Sequence, residues 1–438
     1  MPLDDALIGR LLNAIEADQL VFLCGAGLSI PAPSFLMSAV QVSRACYDRQ
    51  AAIEGLNPAL REDLAALAGL FYARGDFATV FLNLVPWNDF VGPPNSGHAA
   101  IADLLVSRAA HAALSANFDT LIERWAEDRK IALRGALTGQ EAISFVGTAN
   151  PLLKFHGCLA RSRETTIWTL AQLTDPVIQP RVTSCSQWIN LHLPGKHLVV
   201  AGFWSDWGYL NDVLAAALTI TNAQSVTVID PSPSAVLAAK APLLWARLHD
   251  LSGRFEHIPE SSETALDQLR TAYSRAWTRR FFTLGAAVAA QKGLHVPPSP
   301  FETLNGDALY DVRRDAEGEP YSRASTHKSP PQGAAQAAFL YVLMVNAGAT
   351  PEGPWLSHHG RSIRIINGAG RELAQVRESY KEPGTVPAAE IIVCAGALDF
   401  GVPARVVPSG RGASTVRPAP GGSSVWWTFD QAKTALGI

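Results

Sequence analysis

The residues of this chain best suited to chemistry stand at the ends of apolar runs. Gly25, Ala26 and Gly27 follow Leu20–Leu23, and a hydroxyl comes next at Ser29. Glycines there permit a tight turn and let backbone N–H groups approach a phosphate with no Cβ between. An ordinary strand-to-helix turn would look the same, and a lone G-x-G does not choose between the two. Asn117 and Asp119 follow Ala109–Leu114. They offer an amide and a carboxylate for a ligand, or a turn residue and a helix cap. His156 ends the run beginning at Leu152 and precedes Gly157; a neutral imidazole there accepts a proton near neutral pH. Gly202 ends the run His197–Ala201, and Asp230 ends the run from Gln224, where a carboxylate binds a ribose or caps the next helix.

Each run reads as a short buried strand, because a half-exposed strand would alternate polar with apolar residues. Helical spacing lies between them. Leu7, Leu11, Leu12 and Ile15 mark a helix over 4–18, Ser34 is placed to cap a helix over 35–50, and further helices are expected at 57–74 and 77–84. Ser96 is placed to cap a helix carrying His98, which reads as structural, and Asp206 to cap one over 206–218. Strands alternating with helices give a parallel sheet covered on both faces, with ligands at the carboxyl ends of its strands. Five strand ends carrying Gly, Asn/Asp, His, Gly and Asp would thus share one edge.

Composition bounds the rest. The 438 residues favour two domains, and 48% hydrophobic with 17% charged residues describes a packed globular chain. A net charge of −3 gives no general reason to expect nucleic acid or an anionic membrane. The N-terminus is acidic and polar before any apolar run, and no stretch approaches the roughly 20 apolar residues of a membrane span. The cysteines at 24, 46, 158, 185 and 394 are scattered, which suits a reducing cytoplasm and offers no zinc spacing. Hydride transfer is disfavoured: Ile30 stands where a dinucleotide fingerprint wants a third Gly, and Asp48, at the right distance for the ribose acid, sits in a helical pattern.

The ordered set resembles the SIR2 (sirtuin-like) superfamily. The matching residues are the GAG-x-S loop (Gly25, Ala26, Gly27, Ser29), the element Ser115-Ala116-Asn117-Phe118-Asp119, the pair His156-Gly157, then Gly202-Phe203 and Asp230. The resemblance covers residues 1–275. It implies an α/β fold, a Rossmann-like parallel sheet with helices on both faces, that binds NAD and breaks its nicotinamide–ribose bond. The two cysteine pairs of zinc-bearing deacylases are missing, and Ile30–Phe35 lacks the Asp and Arg usual after the glycine loop. The chain is closest in character to prokaryotic SIR2-like NAD hydrolase domains of antiphage systems, with no zinc expected. By the same resemblance, Asn117 holds ribose hydroxyls or water, His156 is the general base and Asp119 orients the Asn loop. Gly25 and Gly27 grip the diphosphate, with Ser29 adding a hydrogen bond. Partners implied are a second copy of the chain, or a companion such as a HerA-type ATPase or an Argonaute-type protein. An NAD-dependent deacylase and an inactive nucleotide-binding scaffold remain alternatives.

Residues 276–438 read as a linker followed by a smaller β-rich (α+β) regulatory or assembly module. The stretch 295–333 reads as a long Pro/Gly-rich loop, with a helix next at 334–348 and strands at 362–367, 390–395 and 424–428. Asn367–Gly370 looks like a hairpin turn. Arg361, Arg364, Arg405, Arg411 and Arg417 are dispersed, which leaves a direct nucleic-acid face open, and Trp426-Trp427 reads as core.

Overall fold

The computed structural model describes residues 3–147, 149–161, 163–205, 207–219, 222–318, 328–380, 389–399 and 424–438. Asp206, Arg405, Arg411 and Arg417 lie outside the described residues. The chain divides into two compact units, residues 1–127 with 132–269, and residues 128–131 with 270–438. The division falls inside the helix Ser262–Gln291, a few residues before the change of texture read at 275.

In the first unit seven strands form one sheet: β1 Leu20–Cys24, β2 Ala112–Ser115, β3 Gly135–Ala136, β4 Leu152–Lys154, β5 His197–Ala201, β6 Ser225–Ile229 and β7 Phe255–Ile258. Their order is β3-β4-β2-β1-β5-β6-β7, and every pairing is parallel. Helices on both faces explain why β1 and β6 are buried at every position. Val21, Leu23, Leu198, Val200, Val226 and Val228 share one core cluster, while Phe22 and Val199, pointing the other way, are equally buried. The chain runs outward from β1 to β2 and to β3 at the edge, sets β4 between β2 and β3, then crosses to lay β5, β6 and β7 on the other side. The ends of β1, β2 and β5 therefore frame a topological switch point, the usual ligand crevice of open α/β sheets.

Three local expectations shift. Ser34 does not cap a helix; its hydroxyl donates to the Pro93 carbonyl, and the helix Ala39–Ala51 starts at Ser38, where Gln41 completes a capping box. Asn95, not Ser96, caps the helix Ser96–Val106, accepting from the Gly97 and His98 N–H groups. The expected helices at 57–74 and 77–84 become a 3₁₀ turn Pro58–Glu62, the helix Leu64–Arg74 and a π-turn Phe77–Phe81 running into Leu82–Leu84.

The second unit holds a mixed five-stranded sheet of β8 Thr350–Glu352, β9 Trp355–His358, β10 Arg361–Asn367, β11 Ile391–Ala395 and β12 Val425–Thr428, in the order β12-β11-β10-β9-β8. Asn367–Gly370 is not a hairpin, because β10 and β11 are parallel and the helix Leu373–Ser379 lies between them in the chain. The expected loop at 295–333 contains a buried helix, Gly306–Glu317, capped by Asn305. Arg364 is no candidate for nucleic acid: its guanidinium is buried in a two-pronged pair with Asp315, at 2.6 and 2.7 Å, under the rings of Trp355 and Tyr380. Removing one partner strands a buried charge, which costs about 3–5 kcal/mol. Asp315→Ala is thus expected to lower the unfolding free energy by that order in chemical denaturation; a loss under about 1 kcal/mol would contradict this.

Candidate functional site

Because all seven strands of the first sheet are parallel, the loops after β1, β2, β4, β5 and β6 emerge on one edge. They line a cavity of about 680 Å³, within the size range of small-molecule sites. Ala26, Gly27, Asn117, His156, Gly202, Phe203 and Asp230 all contribute to its wall, together with Trp168, Trp207 and Lys240. A side chamber of about 90 Å³ opens beside it, sharing Ala26, Asn117, Phe118 and Trp168 and adding Ser29, Phe90 and Asp119. Its aromatic wall is held from behind: Phe118 packs 4.4 Å from Trp168, which abuts Phe81 and Trp87 edge-on.

The glycines sit where the β1 and β5 loops meet. The N–H groups of Gly25, Gly27, Leu28 and Ser29 already bond to the carbonyls of Ala201, Gly202, Gly25 and Ala26. A Cβ on Gly25 or Gly27 would meet the Gly202–Phe203 backbone at 2.7 and 2.9 Å. Both glycines are therefore required by the close approach of the β1 and β5 loops, and their own N–H groups are taken up in joining them. Gly202 reciprocates, with φ +61° and a Cβ position 2.3 Å from the Leu28 nitrogen.

Ser29 faces inward too. Its buried hydroxyl donates to Asp119 Oδ2 at 2.9 Å and accepts from Asn117 Nδ2 at 3.3 Å. The third partner is His98 Nε2 at 3.0 Å. Since His98 Nδ1 accepts from the Asn95 N–H, the proton of a neutral ring sits on Nε2 and is donated to Ser29. The serine is thus no nucleophile with a histidine base: the imidazole offers it a proton, not a lone pair. The serine hydroxyl has one donor bond and two acceptor bonds within the frame. Asp119 spends its other oxygen on the Leu121 N–H. Below it Lys154 is fully buried, reaching the Asp119 carbonyl and Glu123. Burial alone would push its ammonium down, but the Glu123 carboxylate and its neighbours raise it overall.

Asn117 is locked by the same frame. Its N–H donates to Ser115 Oγ, and its Nδ2 donates to the Gly25 carbonyl at 3.1 Å as well as to Ser29. That leaves the side-chain carbonyl as its group for a ligand, an acceptor that orients a hydroxyl or water. His156 stands beyond β4, buried, with its ring 4.8 Å from Trp207 and Nε2 2.7 Å from the Tyr209 hydroxyl. Burial, aided by Arg181, holds its pKa down at about 3. Asp230 takes the Ser232 N–H and stands at the wall with Lys240. Among the described residues no group of three or more His, Cys, Asp or Glu side chains is placed to hold a metal ion. None of their helices is long and apolar enough to cross a membrane.

Two histidines in this frame make stability pH-dependent. His98 is lowered to about 4 and His156 to about 3, both chiefly by burial, from an ordinary 6.5. Between those values and 6.5 the unfolded chain binds more protons than the native one. Their contribution is thus complete above about pH 6.5 and lost as pH falls, at about 1.4 kcal/mol per unit for each group. The Tm is expected to drop from pH 7 to pH 5, and to drop less in His156→Phe; an unchanged Tm would contradict the assignment.

No protein-family model and no curated protein matches the chain. Solved structures that are similar to it include a crystal structure of a Sir2 homologue–NAD complex, at 14% identity and a TM-score of 0.38, covering 62% of this chain and 95% of that one. A Sir2 homologue mutant bound to ADP-ribose matches at 15% and 0.37, covering 63% of this chain and 98% of that one. A structure described under the mechanism and regulation of Sir2 enzymes matches at 13% and 0.33, covering 63% and 100%. These likenesses are low, and the reading of the site rests on its own geometry.

Proposed function

We propose that the first unit binds NAD along the strand ends and hydrolyses its nicotinamide–ribose bond. The observation that carries this reading is the order of the site residues across the sheet. From β4 to β6 the strands run β4-β2-β1-β5-β6, and their ends carry His156, Asn117, the Gly25–Gly27 loop, Gly202-Phe203 and Asp230 in turn. Four inter-strand spacings of about 4.8 Å make this edge roughly 19 Å long, suited to an extended dinucleotide. The base and the amide sit towards one end, a carboxylate for the adenosine ribose at the other, and the tight loops between them.

In this reading the bond from ribose C1 to the nicotinamide nitrogen breaks with its electron pair leaving on nicotinamide, and positive charge develops on the ribose. The apolar side chamber beside Asn117 receives the leaving ring. Asn117 Oδ1 orients the attacking water, a gain of the positioning kind. His156 Nε2 takes the water's proton as the new bond to C1 forms, yielding ADP-ribose. Diphosphate contacts fall to the Ala26 backbone and to Lys240, two residues of the cavity wall. Ser29, Asp119 and His98 hold Asn117 from behind.

The motif resemblance gives the reading its setting: an NAD-depleting effector of antiphage defence in the cytoplasm, acting as a homo-oligomer or beside a companion protein. The test is to incubate the chain with NAD, with and without an acetyl-lysine peptide, and resolve the products. Equal nicotinamide and ADP-ribose without peptide supports hydrolysis. Turnover that requires the peptide makes the chain a deacylase, and saturable binding without turnover makes it a scaffold.

A further inference from the structure

The base of the proposed reaction is not free in the unliganded protein. The Tyr209 hydroxyl lies 2.7 Å from His156 Nε2, and the backbone of Ala116 acts on the ring in the sense that favours its protonation. A ring N–H donated to a carbonyl leaves a neutral histidine with one lone pair. With the ring proton on Nδ1, the lone pair is on Nε2 and the tyrosine O–H is the donor to it. Burial keeps the Tyr209 phenol raised above its ordinary value, so it remains a donor.

We propose that Tyr209 is a positioning residue that caps His156 Nε2, and that the nicotinamide-side ribose and its water must displace this cap before the base can act. The proposal rests on the NAD-cleaving reading above. Tyr209 is the second residue of the helix Gly208–Ala217, and Trp207 just before it lines the cavity and packs on the His156 ring. Ligand entering at Trp207 therefore meets the segment that carries the cap. A competing internal hydrogen bond reduces apparent affinity by the fraction of molecules in the uncapped state, without changing the chemical step.

The test is Tyr209→Phe, which removes one oxygen and keeps the ring. With NAD as substrate, KM is expected to fall about 3–10-fold, the worth of one hydrogen bond, with kcat held. The groups facing the imidazole are Arg181 from the helix Gln179–His192, Tyr209 itself and the Ala116 backbone. Loss of a donor to the neutral ring makes protonation easier, so the acid limb of kcat/KM is expected to move to higher pH. A fall in kcat with KM held would overturn the cap and put Tyr209 on the proton path. Unchanged KM and kcat would overturn it as well. A readout independent of turnover is the ¹⁵N spectrum of the His156 ring without NAD. A displaced Nε2 resonance in Tyr209→Phe supports the cap, and an unmoved one overturns it. If neither protein consumes NAD, the NAD reading fails while the ring spectrum still decides the cap.

Discussion

His156→Ala is expected to lower kcat for NAD hydrolysis about 10²–10⁴-fold, the usual worth of a positioned general base, with NAD affinity little changed. The burial that keeps the ring neutral also weakens it as a base, which puts the expected loss towards the lower end of that range. A histidine held near pKa 3 is neutral throughout the physiological range, so its lone pair is present at every working pH. The wild-type rate is accordingly expected to show no acid limb near pH 6.5. His156→Gln keeps a polar group of similar reach but no base, and should be as slow as alanine; its recovery of wild-type rate would show that His156 only fills space. Asn117→Ala differs in kind, since it removes the acceptor and also deprives the Gly25 carbonyl and Ser29 of a donor. It should lower kcat and stability together.

Gly202→Ala is the substitution expected to damage the fold of the site most. A side chain there adopts φ +61° and drives a Cβ to 2.3 Å from the Leu28 nitrogen. The left-handed backbone costs about 1–2 kcal/mol and the overlap about 1–3 more, so a loss of about 2–5 kcal/mol is expected in denaturant unfolding. The overlap is relieved only by parting the β1 and β5 loops, which breaks the bond from the Gly27 N–H to the Gly202 carbonyl. NAD binding should weaken with it. Gly75→Ala is the control: its φ is +84° but nothing lies within 4 Å of a Cβ there. It should lose only the backbone contribution and bind NAD normally. Equal losses in the two variants would show that loop contact is not what Gly202 supplies.

The strand ends were legible because each is a short, mostly apolar run stopped by a glycine, a histidine or a short polar residue, a pattern that needs no partner to be recognised. β3 and β7 were not legible. Gly135–Ala136 is too short to leave a pattern, and Phe255–Ile258 carries Glu256 and His257 in a half-buried edge strand. The glycine loop is legible, but what it packs against is not. Close approach demands glycine whether the neighbour is a phosphate or another loop, and one chain's sequence does not name the neighbour. His98 looked like any polar residue in a first helical turn. Its partner Ser29 lies 69 residues away, a distance that periodicity cannot bridge. Tyr209 was hidden likewise, its hydroxyl paired with a histidine 53 residues earlier. In the second unit, turn chemistry at Asn367–Gly370 suits a hairpin, although the same glycines also serve a turn from a strand into a helix.

The most direct test of the account is a single-turnover experiment with NAD labelled in the nicotinamide ring and the protein in excess. Wild-type protein is predicted to release the label as free nicotinamide and leave one ADP-ribose for each, with release slowed in His156→Ala and Asn117→Ala while binding persists in His156→Ala. Saturable binding of NAD with the label retained on the intact dinucleotide, or release unaffected by both substitutions, would contradict it.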